Sequence, residues 1–195
     1  MLRSSRLWLA AAALSLALAY VLPLWHVGLQ APQYPEGLGL YIGVNQIRGE
    51  KPQDLNSINN LNHYIGMKRI VPEAIPELRF MPMLVGGLAG LGLLAALAGR
   101  RWLLRLWVAC FAVGAVAGLA DFYRWGYDYG HDLSPEAIIK IEDMSYQPPL
   151  IGSKQLLNFH ATSWPAAGGV VLMLGLGAGF WLALRERGAS QPRTA

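Results

Sequence analysis

Four stretches of mostly apolar residues divide the chain, and each has close to the ~20 residues that a helix needs to cross a bilayer. They run over about 7–29, 80–98, 102–123 and 166–184. We therefore predict an all-α integral membrane protein with four transmembrane helices. The predicted segments are a first transmembrane helix over 1–29, an outer segment over 30–79, a helical hairpin over 80–123, a second outer segment over 124–164, and a fourth helix with its tail over 165–195.

Arginines mark the same end of every predicted span, and this sets the orientation. They are Arg3, Arg6, Arg100, Arg101, Arg105, Arg185, Arg187 and Arg193. With Glu186 as the one acidic residue there, that side has a net charge of +7, whereas the outer segments, with eight basic and eleven acidic residues, have −3. Cytoplasmic loops carry the excess of basic residues. We therefore predict that both termini are cytoplasmic and that the two outer segments form a small periplasmic cap.

The first span has a second interpretation, as a cleavable secretory signal. A basic start, an apolar middle and the sequence Ala17-Leu18-Ala19 are typical of such a signal. The apolar stretch continues through Val21, Leu24 and Trp25, however, which is longer than a usual signal core. The sequence favours retention as an uncleaved anchor, and cleavage would leave three spans with the same exposed side.

Composition narrows the function classes. The chain is 54% hydrophobic, 14% charged and has a mean hydropathy of +0.32, which fits surface that faces lipid. No basic stripe interleaved with aromatic residues occurs, so nucleic-acid binding is excluded. The single cysteine, Cys110, lies within an apolar run and forms no Cys-x-x-Cys motif. Beyond Arg105 beside the basic turn and Asp121 at the opposite end of the same span, the spans contain no charged residue, which disfavours transport by this chain alone.

The outer segments carry the remaining patterns. Residues 41–47 are predicted as a short strand after a loop rich in Pro and Gly, and a helix is predicted to begin near Asp54. On that helix Leu55, Ile58 and Ile65 share one face, and His63 and Met67 lie opposite it. The aromatic-rich stretch over 122–129 is predicted to form an interfacial belt, with a quinone or haem pocket as the alternative.

All four histidines and four of the six methionines fall on the outer side or at its membrane boundary. Imidazole and thioether groups together suit copper, and the soft sulfur favours Cu(I). The sequence thus predicts a copper site built first from His63 and Met67, then from His131, His160, Met81 and Met83, and last from His26 and Met144. The alternative is that these residues only pack and form hydrogen bonds, which the sequence favours slightly.

Two stretches of the chain look similar to a known group of proteins. They are Leu61-Asn62-His63-Tyr64-Ile65-Gly66-Met67 and Pro149-Leu150-Ile151-Gly152-Ser153-Lys154, followed by Leu156-Leu157-Asn158-Phe159. They resemble a family of small uncharacterised bacterial inner-membrane proteins associated with the accessory gene clusters of nitrous oxide reductase. This resemblance implies the setting of denitrification and a periplasmic copper enzyme that needs metal delivery, electrons or assembly. It assigns no role to any residue.

The leading hypothesis is a non-enzymatic accessory protein of the bacterial inner membrane. It would bind or hand over copper at its periplasmic face while a periplasmic copper enzyme matures, with that enzyme or a chaperone as partner. No Gly-x-Ser-x-Gly, His-Glu-x-x-His or phosphate-loop motif occurs, so we do not expect an enzyme. The alternative is a structural anchor that docks a periplasmic enzyme or electron carrier. A quinol-oxidising component is a weaker third hypothesis.

Overall fold

Three long apolar helices dominate the computed structural model, which describes residues 1–141, 145–156 and 158–188. Helix α3 (Glu77–Ala98), helix α4 (Arg101–His131) and helix α5 (Ala167–Gly188) are each long and apolar enough to cross a membrane. They coincide with three of the four predicted spans. Helix α4 continues eight residues beyond the predicted end at Tyr123, so the aromatic-rich stretch is part of this helix. The chain is thus built as a multi-pass membrane protein.

The first predicted span has a different form. Helix α1 (Arg3–Ser15) continues as a 3-10 helix (Leu16–Tyr20), and both pack along α3 and α5. This segment ends well before the predicted boundary at residue 29. The apolar residues from Trp25 onward belong to a strand, because a short apolar run has the same composition whether it forms a buried strand or a helix.

Five strands form one antiparallel sheet within the described residues, so the prediction of an all-α chain is wrong in this part. They are β1 (Trp25–Ala31), β2 (Tyr34–Ile42), β3 (Ile47–Gly49), β4 (Gly152–Leu156) and β5 (Phe159–Pro165), in the spatial order β3-β2-β1-β5-β4. Strand β1 pairs with β5 from Trp25 opposite Pro165 to Gln30 opposite His160. The two outer segments are therefore joined through the sheet.

Helix α2 (Asp54–Ile65) covers one face of this sheet. Ile58 packs against Leu38 and Leu40. The predicted division of the helix is confirmed for the buried Ile58 and the exposed His63, but not for Met67, which lies beyond the end of the helix. The carboxylate of Asp54 is also buried and accepts hydrogen bonds from the backbone N–H groups of Gly39 (2.9 Å) and Lys51 (3.1 Å). These bonds fix the start of α2 against β2.

The membrane bundle is centred on Trp107 of α4, which is fully buried. Its indole Nε1–H donates to the carbonyl of Leu88 at 2.8 Å. The ring lies between two glycines on neighbouring helices, because a Cβ atom added at Gly92 or at Gly179 would come within 2.8 Å of it. Small residues thus let α3 and α5 approach α4 closely.

The arginine-rich ends of the helices meet at one end of the bundle, opposite the sheet. Arg6 donates to the carbonyls of Ala96 (2.7 Å) and Leu97 (2.6 Å) at the end of α3. Glu186 of α5 is buried and accepts from Arg101 Nε at 3.1 Å and from the Leu2 backbone N–H at 2.9 Å. The basic residues at the helix ends within the described residues therefore share one side of the bundle, as the charge pattern predicted, whereas Arg193 lies outside the described residues.

Candidate functional site

The C-terminal end of α2 meets the segment that follows α4. Gly66 ends α2 in the left-handed conformation (φ 80°), and its carbonyl accepts a hydrogen bond from Ser134 N–H at 2.8 Å. The carbonyl of Tyr64 accepts from Ile139 N–H at 2.9 Å. A Cβ atom at position 66 would lie 2.8 Å from the Cβ of Ala137, so glycine also permits the close approach. We call this contact region, residues 63–69 with 127–139, the α2–α4 junction.

Side chains add two further ties across the α2–α4 junction. The ammonium of Lys68 contacts the Asp132 carboxylate at 2.5 Å, and the Tyr129 hydroxyl donates to the carbonyl of Arg69 at 3.4 Å. The hydrogen bond to Asp132 raises the pKa of Lys68, so the lysine stays charged through the neutral range. The residues of this region come from distant parts of the chain, and no sequence pattern indicated that Lys68 and Asp132 pair.

Three of the predicted copper ligands belong to the α2–α4 junction. His63 lies exposed in the last turn of α2, Met67 follows Gly66 and is half-buried, and His131 is the last residue of α4. The predicted helical spacing of His63 and Met67 does not occur, because α2 ends at Ile65. The left-handed turn at Gly66, not a helix face, sets the position of Met67 relative to His63.

His131 is held in a defined orientation. Its ring stacks on Tyr127 with 3.9 Å between the centroids, and its Nδ1 lies 2.9 Å from the Tyr127 carbonyl oxygen. A carbonyl oxygen only accepts, so Nδ1 carries the proton and the neutral ring presents the Nε2 lone pair. Metal-binding histidines are usually fixed in this way, by donating their other ring N–H to a carbonyl or carboxylate.

His160 lies away from the α2–α4 junction, on the other face of the sheet. Successive side chains of a strand point to opposite faces, so in β5 His160 and Thr162 share one face while Ala161 and Ser163 share the other. The buried Ala161 and Ser163 lie on the face that α2 covers, next to the apolar residues of β1. His160 therefore points from the face that α2 does not cover, which we call the uncovered sheet face.

Met81 and Met83 lie within α3, below the α2–α4 junction. Arg124 of α4 contacts Glu77 at the start of α3 at 3.3 Å. These two residues therefore lie at about the same height along the bundle axis. At 1.5 Å per residue, Met81 and His131 are then separated by roughly 16 Å along the helices. Met81 packs against the bundle core and Met83 is 65% exposed on the outer side of α3.

The two last-ranked candidates have other settings. His26 Nε2 lies 3.0 Å from the Glu50 carboxylate on the uncovered sheet face, and its ring contacts Tyr41 with 4.8 Å between centroids. Met144 lies outside the described residues. Over the ranges 1–141, 145–156 and 158–188, no group of three or more His, Cys, Asp and Glu side chains is placed to share a metal ion. A site of two histidines and one methionine does not belong to this class, because methionine sulfur is not among these ligands.

The uncovered sheet face is a second surface that the sequence did not predict. One row of side chains crosses four paired strands, from Trp164 through His26 and Tyr41 to Arg48. Gly28 and Gly39 lie next to this row on the same face of the sheet. Only glycine fits at these two positions, because a side chain at either one would overlap Thr162 or the His26–Glu50 pair. The alternation of β1 and β5 was the available signal, but β1 was assigned to a transmembrane helix.

Comparison with known proteins adds no family assignment: no family model matches the chain, and no curated protein matches its sequence.

Proposed function

We propose that this chain is a non-enzymatic accessory protein of the bacterial inner membrane that holds copper at its periplasmic side and passes it to a periplasmic copper enzyme. The copper would bind at the α2–α4 junction through His63, Met67 and His131. The observation that carries this proposal is the hydrogen bond from His131 Nδ1 to the Tyr127 carbonyl, which leaves Nε2 of this exposed ring as the nitrogen that can bind an ion. The resemblance to accessory proteins of nitrous oxide reductase clusters supports such a recipient enzyme.

The donor set suits the transfer of Cu(I). Two imidazole nitrogens and one thioether sulfur match the preference of Cu(I) for soft, neutral ligands. His63 and His131 are exposed, so a partner has access to an ion held between them. The hydrogen bonds from Ser134 N–H to the Gly66 carbonyl and from Ile139 N–H to the Tyr64 carbonyl hold the two ligand-bearing segments together before the ion arrives. Such preorganisation lowers the entropy lost on binding.

We also propose four membrane crossings with both termini in the cytoplasm. The 13 residues of α1 and the five of the following 3-10 helix have a combined length of about 30 Å. This length equals the thickness of the hydrocarbon core, about 30 Å. The arginines gathered at the end of the bundle opposite the sheet support a cytoplasmic position for that end.

Copper titration of the purified full-length chain tests the proposed site. With a competing Cu(I) chelator, we expect one ion per chain, and we expect His63→Ala, Met67→Leu and His131→Ala each to weaken binding at least tenfold, because each removes one of three ligands. The matched controls are His160→Ala and Met83→Leu, which change the same residue types outside the α2–α4 junction and should leave the affinity unchanged. A chain that retains no copper after loading, or equal losses in the controls, contradicts the proposal.

A second candidate function is a membrane anchor that docks a soluble periplasmic protein. The uncovered sheet face favours it, because Trp164 is 53% exposed at the end of the row that Arg48 closes. The acidic excess of the outer segments favours a partner with a basic surface. Photo-cross-linking from position 164 in cells distinguishes the two functions: a cross-linked partner that survives His63→Ala with Met67→Leu supports the anchor.

A further inference from the structure

An open cleft of about 600 Å³ lies where the cap meets the start of α3. Its walls are α2, the turn between β2 and β3, the strap formed by residues 69–75, and the first turn of α3. We call it the interfacial cleft and define it by Ile47, Asn56, Arg69, Ile70, Leu78 and Arg79. The volume falls within the range of small-molecule sites, about 300–1,000 Å³.

One wall of the interfacial cleft is fixed by a bidentate contact. The side-chain oxygen of Asn59 accepts from Ile70 N–H at 2.7 Å, and its amide nitrogen donates to the Ile70 carbonyl at 3.0 Å. Both hydrogen-bonding groups of Ile70 are thereby satisfied, and the strap is held against α2. The cleft therefore has a formed wall without any ligand.

The lining of the interfacial cleft is amphipathic. Ile47, Ile70 and Leu78 supply apolar surface, and Arg69 and Arg79 supply two positive charges against the single carboxylate of Glu73. Arg79 donates to the backbone carbonyl of Glu73 at 3.1 Å. Within the part of the chain that the structure describes, the Arg69 guanidinium has no hydrogen-bond or ion-pair partner. The cleft thus offers an excess positive charge next to apolar residues.

The interfacial cleft lies at the end of a helix that is long and apolar enough to cross a membrane. Leu78 and Arg79 belong to the first turn of α3, and Phe80 beside them is 56% exposed. The ends of a membrane-spanning helix lie where the hydrocarbon gives way to the polar headgroups. A molecule in the cleft can therefore keep a charged group among the arginines and an apolar tail in the bilayer.

We propose that the interfacial cleft binds one glycerophospholipid of the periplasmic leaflet. The lipid phosphate contacts Arg69 and Arg79, and the upper part of one acyl chain lies along Ile47, Ile70 and Leu78. Guanidinium and phosphate groups form strong paired hydrogen bonds, which accounts for the two arginines at this depth. The interfacial cleft adjoins the α2–α4 junction at Arg69 but contains none of the proposed copper ligands His63, Met67 and His131, so the lipid binds whether or not the chain holds copper.

Native mass spectrometry of the full-length chain, stripped of lipid in detergent, tests this proposal. Two probes share the same acyl chains: dioleoylphosphatidylethanolamine and dioleoylglycerol, which lacks the phosphate. We expect one phospholipid per chain, about tenfold weaker retention of dioleoylglycerol, and no displacement by inorganic phosphate. Equal retention of the two probes overturns the proposal, as does binding of inorganic phosphate alone.

Charge-matched variants locate the site. Arg69→Gln with Arg79→Gln should weaken phospholipid retention about tenfold, whereas Lys140→Gln with Lys154→Gln removes the same charge elsewhere on the cap and should not. Arg69→Gln alone removes no hydrogen bond or ion pair to any described residue, so it reports on binding if the double variant is unstable. Asn56→Trp should also reduce retention, by filling the interfacial cleft with both arginines present. Unchanged retention in Arg69→Gln and Asn56→Trp contradicts the proposal.

Discussion

Gly179→Leu should prevent the membrane bundle from closing, with a loss of about 3 kcal/mol or more in the free energy of unfolding. A Cβ atom at position 179 would lie 2.6 Å from the ring of Trp107 and 3.0 Å from Val108. The ring has no room to move away, because it is fully buried and its Nε1–H is bonded to the Leu88 carbonyl. Unfolding in a graded mixture of mild detergent and dodecyl sulfate measures the loss.

Gly177→Leu is the matched control for this substitution. Position 177 lies on the same helix, and a Cβ atom there meets nothing within 4 Å. Both substitutions lower the glycine content of α5 equally and add the same apolar side chain. We expect Gly177→Leu to keep the wild-type unfolding curve. Equal stability of the two variants would show that α5 does not pack on Trp107 as described.

Glu186→Leu should lower the free energy of unfolding by about 3 kcal/mol. The Glu186 side chain is only 2% exposed, and it accepts hydrogen bonds from the Leu2 backbone N–H and from Arg101. The carboxylate therefore joins the starts of α1 and α4 to the end of α5. Its removal takes away the acceptor that these two part-buried hydrogen bonds share.

Two further variants show whether the charge of Glu186 matters beyond its size, and whether the effect is specific to this position. Glu186→Gln keeps the size and one accepting oxygen, so we expect a smaller loss than with leucine. Arg187→Ala changes an exposed neighbour and should leave the unfolding curve in place. A fully stable Glu186→Leu protein would mean that the basic end of the bundle is held together without this contact.

The three long helices were predictable because each apolar run exceeds the length of any ordinary buried strand. The start of the sheet was not, since Trp25 to Leu29 continue the first apolar run without a charged residue. Strand β2 contains Pro35, Gly37 and Gly39, a composition typical of a loop. It forms a strand because β1 and β3 pair with its two edges, and this pairing is a tertiary property.

The candidate copper site was predictable only in part. The charge pattern predicted that His63, Met67 and His131 share the outer side, whereas the contact between the segments that carry them depends on Gly66 meeting Ser134 across a large separation in sequence. His160 was included on composition, and the pleat of β5 places it on the other face. Gly66 was the one local signal, because glycine inside a predicted helix often marks its end.

X-ray absorption at the copper edge of the Cu(I)-loaded chain tests the central claim most directly, because it identifies the atoms bound to the ion. Copper at the α2–α4 junction predicts one sulfur and two imidazole nitrogens, with the sulfur signal lost in Met67→Leu and kept in Met83→Leu. A spectrum without sulfur, or a sulfur signal that persists in Met67→Leu, would contradict a site built from His63, Met67 and His131.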